Sequence, residues 1–122
     1  MTIIKTSADL SPDDIYELTT SPEAAKLRDA AGCVLEINAW CIYTDDESVD
    51  EETGEVNSPE LLSLLTPDGV YTTNSPTVIR SFRRALDVYS QFGRSIDRLK
   101  IFEGVSSKGR SYLDCSVPRS HD

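Results

Sequence analysis

Histidine is almost absent from this chain, and so are most side-chain groupings on which catalysis or metal binding rests. The single His121 stands one residue from the C-terminus, where chains usually fray, so neither a His-based triad nor a His/Cys metal cluster has support. Three cysteines are an odd count without close metal-ligand spacing. Cys33 and Cys41 lie in one apolar run and Cys115 in another, and free cysteine is among the most buried residue types. Reduced, buried thiols are expected, not a disulfide or a zinc site. There is no glycine-rich phosphate loop, no activated nucleophile, and no Asp-x-Asp-x-Asp-Gly calcium framework. Paired carboxylates occur only in acidic stretches, with no sign of a pocket to tune them. A non-enzymatic protein without cofactor or metal is expected. No apolar run approaches the roughly 20 residues that cross a bilayer, and MTIIKTSADL lacks the basic and apolar regions of a secretory signal. The expectation is a cytoplasmic protein without membrane contact.

What is present is charge, unevenly spread. The 122 residues suit one domain and carry a net charge of −9. Residues 1–60 hold fifteen acids and three bases, net −12, whereas residues 61–122 hold six acids and nine bases, net +3. Segment 44–57, TDDESVDEETGEVN, has seven acids and no base, the composition of a solvated loop. A polyanion responds to the local cationic face within roughly a Debye length of ~8–10 Å, so overall acidity does not exclude one as a partner.

Residues 11–31 read as two short helices. Ser11-Pro12-Asp13-Asp14 combines a cap, a first-turn proline and acids at the positive helix end. Ser21-Pro22-Glu23 repeats the signal, and Gly32 ends the second helix. Residues 33–43, CVLEINAWCIY, alternate as a long strand. Cys33, Leu35, Ile37, Ala39, Cys41 and Tyr43 share one face, and Val34, Glu36, Asn38, Trp40 and Ile42 the other. ELLSLLT at 60–66 is ambiguous, since Leu61, Leu62, Leu64 and Leu65 would also suit a helix capped at Ser58-Pro59; the turn signal Pro67-Asp68-Gly69 and the β-branched Val70 to Thr73 favour a strand–turn–strand hairpin. Ser75-Pro76 starts a helix with an apolar stripe of Val78, Ile79, Phe82, Ala85, Leu86, Tyr89 and Phe92, ended by Gly93. Arg98 to Val105 alternates with Leu99, Ile101 and Val105 inward and Arg98, Lys100 and Phe102 outward. After the turn Ser106 to Arg110, Tyr112 to Val117 completes a hairpin with Leu113, Cys115 and Val117 inward.

Five strands with a helix between the third and fourth is the order of an OB-fold, a partly open five-stranded Greek-key barrel whose 1–2 and 4–5 loops frame a cleft for oligomers. The expected organisation is mainly β: an N-terminal helical extension (1–32), an OB-like domain (33–117) and a flexible C-terminus (118–122). Exposed strand edges on such a barrel could pair into a homodimer. In the second half of the chain, bases and aromatics interleave at outward positions: Tyr71, Arg98, Lys100, Phe102, Lys108, Arg110 and Tyr112. Single-strand binders use this mixture, with cations tracking phosphates and rings stacking on bases. Trp40 reads either as a further stacking platform or as cover for the core. Arg80, Arg83 and Arg84 offer a second possible phosphate contact, but read most simply as the solvated side of an amphipathic helix, so the Lys108/Arg110 turn is expected to outweigh them in binding.

Several stretches together resemble the small single-stranded DNA-binding proteins of phages that infect Gram-positive bacteria, including those that coat displaced strands in protein-primed replication. They are Gly32-x-x-x-Glu36-x-Asn38-Ala39, Leu65-Thr66-Pro67-Asp68-Gly69, Asn74-Ser75 before the helix, and Gly104-Val105-Ser106-Ser107-Lys108-Gly109-Arg110 followed by Tyr112. Asp14-Ile15-Tyr16 through Ser21-Pro22 to Arg28–Gly32 is similar as well, and the likeness spans about residues 13–117. It implies an OB-like fold, sequence-tolerant single-strand binding that coats and protects DNA during phage replication, and residence in the host cytoplasm. Lys108 and Arg110 are the best-matched residues. The C-terminus Pro118-Arg119-Ser120-His121-Asp122 lacks the acidic tail and terminal Phe through which bacterial counterparts recruit replication proteins, so such recruitment is not supported by the sequence. The competing reading is an acidic interaction module in which residues 45–55 imitate DNA and occupy a host DNA-binding protein.

Overall fold

The computed structural model describes residues 2–7, 10–20, 24–44, 48–49, 56–57 and 60–118. In chain order the elements are β1 (Thr2–Thr6), α1 (Pro12–Thr20), β2 (Ala25–Lys26), a 3-10 turn (Leu27–Ala30), β3 (Val34–Glu36), β4 (Ala39–Thr44), β5 (Ser48–Val49), β6 (Val56–Asn57), β7 (Glu60–Thr66), β8 (Gly69–Thr73), α2 (Pro76–Gln91), β9 (Arg98–Val105) and β10 (Ser111–Ser116). They form a five-stranded sheet of order β1-β4-β7-β8-β2, a three-stranded sheet of order β10-β9-β3, and the short β5-β6 pair. The fold is mainly β, as expected, but its two principal sheets are open and do not close into a barrel.

The stretch expected to be one strand over 33–43 is two. Ile37 N–H donates to Asp97 C=O at 2.8 Å, whereas Asn38 N–H donates to Leu65 C=O at 2.8 Å, so the chain changes sheets between adjacent residues. Before the change Val34, Leu35 and Glu36 face Lys100, Leu99 and Arg98 of β9; after it, Ala39 to Thr44 run against Leu65 to Glu60 of β7. The change also shifts the alternation by one residue. Leu35 and Ile37 share the main core with Trp40 and Ile42, whereas Ala39, Cys41 and Tyr43 enter a second cluster with Leu18 and Val70. Both faces of β4 are thus covered, one by the three-stranded sheet and α2, the other by α1. Cys33, expected inside, is exposed.

Residues 1–32 are not a helical extension. β1 pairs antiparallel with β4 at the edge of the larger sheet, with an irregularity at Ile4, and such interruptions blunt an open edge. α1 forms where the first cap predicts it, and Ser11 and Asp14 exchange side chain–backbone bonds of 3.2 Å. The second expected helix does not form. Ala25 and Lys26 instead pair in parallel with Tyr71 and Thr72 of β8, and the 3-10 turn buries Leu27 and Ala30. Tertiary pairing overrides local helix propensity here. Within 44–57 the structure describes only the β5-β6 pair, Ser48↔Asn57 and Val49↔Val56; the rest of the expected acidic loop lies outside the described residues, as do Arg119 to Asp122.

The β7-β8 hairpin and α2 follow the sequence closely. Thr66 and Gly69 pair across a two-residue turn, and Thr66 Oγ1 donates to Gly69 C=O at 2.9 Å while accepting from Asp68 N–H at 3.2 Å. Ser75 caps α2 by accepting from Val78 N–H. Val78, Ile79 and Phe82 are buried, but Phe92, expected in the apolar stripe, is exposed as the helix ends. Val105, expected inside, is 71% exposed, because the outer end of β9 reaches past the core. No helix among the described residues is long and apolar enough to cross a membrane.

Phe82 is the largest fully buried side chain and meets Trp40 edge to face, with ring centroids 5.2 Å apart and planes at 78°. Phe82→Ala should therefore cost about 3–5 kcal/mol, read from denaturant unfolding followed by Trp40 fluorescence. Burial pushes the Cys41 thiol up to about 11; burial and, next, the neighbouring Asp114 carboxylate push Cys115 up to about 12. Both stay protonated and shielded at pH 8, and the thiolate is the reactive species. Thiol titration of folded protein at pH 8 should count one fast group, Cys33, rising to three in denaturant; two fast groups would contradict this burial.

Candidate nucleic-acid interface

Alternation along β9 sets the character of the smaller sheet. Leu99 and Ile101 point into the core, so Arg98, Lys100, Phe102 and Gly104 lie on the outer face. Register adds their neighbours: Glu36 opposite Arg98, Val34 and Ser116 flanking Lys100, Asp114 opposite Phe102, and Tyr112 opposite Gly104. Lys100 is exposed, Arg98 and Phe102 are half-buried, and Tyr112 is 38% exposed. Asp114 is turned to structural use, accepting from Ser81 Oγ of α2 at 2.6 Å and from Cys115 N–H at 2.8 Å through the same oxygen.

Gly104 has a specific role. A Cβ added there would collide with the Tyr112 ring, whose Cε1 would lie only 2.9 Å away. Tyr112 thus rests across the bare backbone of the opposing strand, the aromatic rescue of a strand glycine. Its ring is held against the sheet before any ligand arrives. A glycine inside a β-branched and aromatic strand signals close approach of another group, and this was the available clue to a residue that sequence reasoning did not place in the site.

Beyond Val105 the chain turns tightly. Ser106 N–H donates to Arg110 C=O at 2.8 Å, Gly109 N–H to Ser106 C=O at 2.9 Å, and Arg110 N–H to Ser106 Oγ at 3.2 Å. Gly109 sits at φ +80°, a left-handed conformation that favours glycine. Lys108 and Arg110 flank it, both exposed. Among the described residues Lys100, Lys108 and Arg110 have no ion-pair partner.

Six of the eight expected site residues therefore belong to one hairpin: Arg98, Lys100, Phe102, Lys108, Arg110 and Tyr112. The other two do not join them. Trp40 is 6% exposed and packed on Phe82, so its ring is not available for stacking on a base. Tyr71 lies in the other sheet, half-buried, and packs against the main core opposite Leu64. Of the two readings left open for Trp40, its burial is that of core cover, and Tyr71 packs on the core side of its sheet; period alone does not separate these, because an aromatic at a strand position has the same period whether it meets solvent or a second layer. Val34, exposed beside Lys100, was in turn missed as part of the outer face. Among the described residues no three His, Cys, Asp or Glu side chains gather where they could hold a metal ion. Comparison with protein-family models, with curated proteins and with solved structures returned no match.

The Tyr112–Gly104 contact can be checked in solution. Ring currents should move the Gly104 Hα resonances upfield, and Tyr112→Ala should return them to ordinary strand values. Gly104→Ala should expel the ring while β9 and β10 remain paired, seen as loss of nuclear Overhauser contacts between Tyr112 and residue 104.

Proposed function

We propose that the protein binds single-stranded DNA, without strong sequence preference, across the outer face of the β10-β9-β3 sheet and the turn at its end. The observation that carries this reading is the gathering of exposed cations and aromatic rings on one hairpin, Lys100, Lys108 and Arg110 beside Tyr112 and Phe102. Base stacking on an aromatic contributes about 1–3 kcal/mol whatever the base, while guanidinium and ammonium groups follow the phosphates. A duplex hides its base faces, so rings lying against a sheet favour an unpaired strand.

The architecture supports a site of OB type. Two successive strands, β3 and β4, separated only by Ile37 and Asn38, pair with β9 and β7 respectively, so adjoining segments of the chain link the two sheets. β7-β8 and β9-β10 are hairpins, and α2 lies between β8 and β9 in the chain, the order of an OB barrel. The gap between β8 and β10 is where this barrel stays open, and β2 occupies the free edge of β8. Coating of single strands during phage DNA replication is the role that fits such a binder, in keeping with the resemblance noted in the sequence.

Titration with oligo-dT and with duplex of equal length tests the reading. Oligo-dT should bind more tightly, and affinity should fall steeply with salt as counterions are released. Replacing Lys108 and Arg110 together by Ala should weaken binding and flatten the salt slope by about one to two units, near 0.7 per lost phosphate contact. Absence of binding at low salt, together with capture of a DNA-binding protein through the acidic half, would replace this function with the mimic reading.

A further inference from the structure

The outer face of α2 takes no part in the hairpin site, yet its chemistry is just as pronounced. Arg83 Nη2 donates to Glu60 Oε1 at 3.0 Å. Arg80 and Arg84, one turn apart, have no hydrogen bond or ion pair among the described residues. Like charges four residues apart destabilise a helix. No acid in the first turn of α2 offsets the positive end of its dipole either.

These arginines border a groove of about 730 Å³, whose walls also carry Asn74, Pro76, Ile79 and two carboxylates, Glu60 and Asp87, so three guanidiniums face two acids there. That volume falls among small-molecule sites, which combine apolar walls with a few convergent polar groups. Exposed Pro76 offers an apolar surface, with the buried Ile79 beneath it, Asn74 an amide that both donates and accepts, and the guanidiniums planar forks that match phosphate oxygens. Apolar surface, amide and paired guanidiniums together suit a base joined to phosphate.

We propose that this groove is a second anion site that takes nucleotide phosphates, with Arg80 and Arg84 as the phosphate ligands and Arg83 held in its wall by Glu60. It is separate from the hairpin and does not require the function proposed for it. The nucleotide can arrive free or within a strand. A strand already bound at the hairpin would present its next phosphates to α2 at a raised effective concentration, so affinity would grow with strand length.

The test uses the full chain, the variant Arg80→Gln/Arg84→Gln, which keeps good helix formers on an exposed face, and Lys108→Ala/Arg110→Ala. Circular dichroism establishes that both variants are folded. The probes are thymidine diphosphate and oligo-dT of about 8 and about 30 nucleotides, the first within and the second well beyond the ~4–16 nucleotides that one such fold covers. If the source is a strand, the wild type should prefer the longer oligomer by about tenfold or more beyond the statistical gain. The arginine variant should lose that preference and bind the shorter oligomer within about twofold of wild type. If the source is free nucleotide, thymidine diphosphate should shift Asn74 and Ile79 resonances in the wild type and in the Lys108/Arg110 variant, but not in the arginine variant. An unchanged length preference in the arginine variant, with no diphosphate-induced shift at Asn74 or Ile79, overturns the proposal. Binding of the short oligomer in that case leaves the hairpin function standing. Diphosphate shifts at α2 without any oligo-dT binding would do the reverse.

Discussion

The change of sheet between Ile37 and Asn38 is the constraint on which the rest of the structure depends. Two neighbouring amides donate to carbonyls on opposite sides of the molecule, Asp97 before β9 and Leu65 at the end of β7. The two sheets are therefore joined by backbone as well as by packing. Their separation is filled by the main core, with Leu35, Trp40, Leu64, Phe82, Leu99 and Ile101 drawn from both sheets and α2. A one-residue slip in a strand sends every later side chain to the other face, and here that slip does the construction. It brings Trp40 and Ile42 into the core already entered by Leu35 and Ile37, and it frees Ala39, Cys41 and Tyr43 to make the second cluster under α1.

The same slip explains what sequence reading recovered and what it did not. Periodicity located β9 and β10, β-branched and aromatic composition located β8, and the Pro67-Asp68-Gly69 turn decided β7, where leucine spacing alone also suited a helix; each of these strands keeps one phase from end to end. Periodicity also located α2 with its Ser75 cap and its stop near Gly93. Over 33–43 the period was right locally and wrong globally, since alternation cannot say where phase resets. The N-terminal segment was misread for another reason. Ala24, Ala25, Lys26 and Leu27 are sound helix formers, but β8 had an unpaired edge, and its backbone groups were satisfied by Ala25 and Lys26. Unpaired strand edges attract any available extended segment, a demand that no local propensity records.

The candidate hairpin site was legible to a similar degree and for related reasons. Outward positions on β9 follow from alternation alone, and the turn residues Ser106 to Arg110 follow from composition, so Arg98, Lys100, Phe102, Lys108, Arg110 and Tyr112 emerge together. The sequence could not decide between the two readings of Trp40, and it set Tyr71 outward, because each faces a layer contributed by a distant part of the chain, Phe82 for Trp40 and the main core for Tyr71. Gly104 shows the converse: its importance lies in an absent side chain, and only the cross-strand partner Tyr112 reveals it.

The position of this hairpin also separates binding from folding. Leu99, Ile101, Leu113 and Cys115 anchor its base in the core, whereas Val105 and the turn extend beyond it. Lys108 and Arg110 make no ion pair among the described residues, so neither stabilises the fold through a charge partner. Their geometry is instead set by backbone: the ladder of β9 and β10 and the three hydrogen bonds within Ser106–Arg110. A ligand strand would thus meet a tyrosine ring already laid against the sheet, and cations whose backbone positions, though not whose side chains, are set beforehand, which reduces part of the ordering free energy that association costs. The acids are concentrated before Leu61 and the bases after it. The positive field of the hairpin consequently originates in β9, the turn and α2, while most of the net charge of −9 is carried by other segments. An overall acidic chain can therefore present a cationic surface to a polyanion, provided that its bases stand on a projecting element, as Lys108 and Arg110 do.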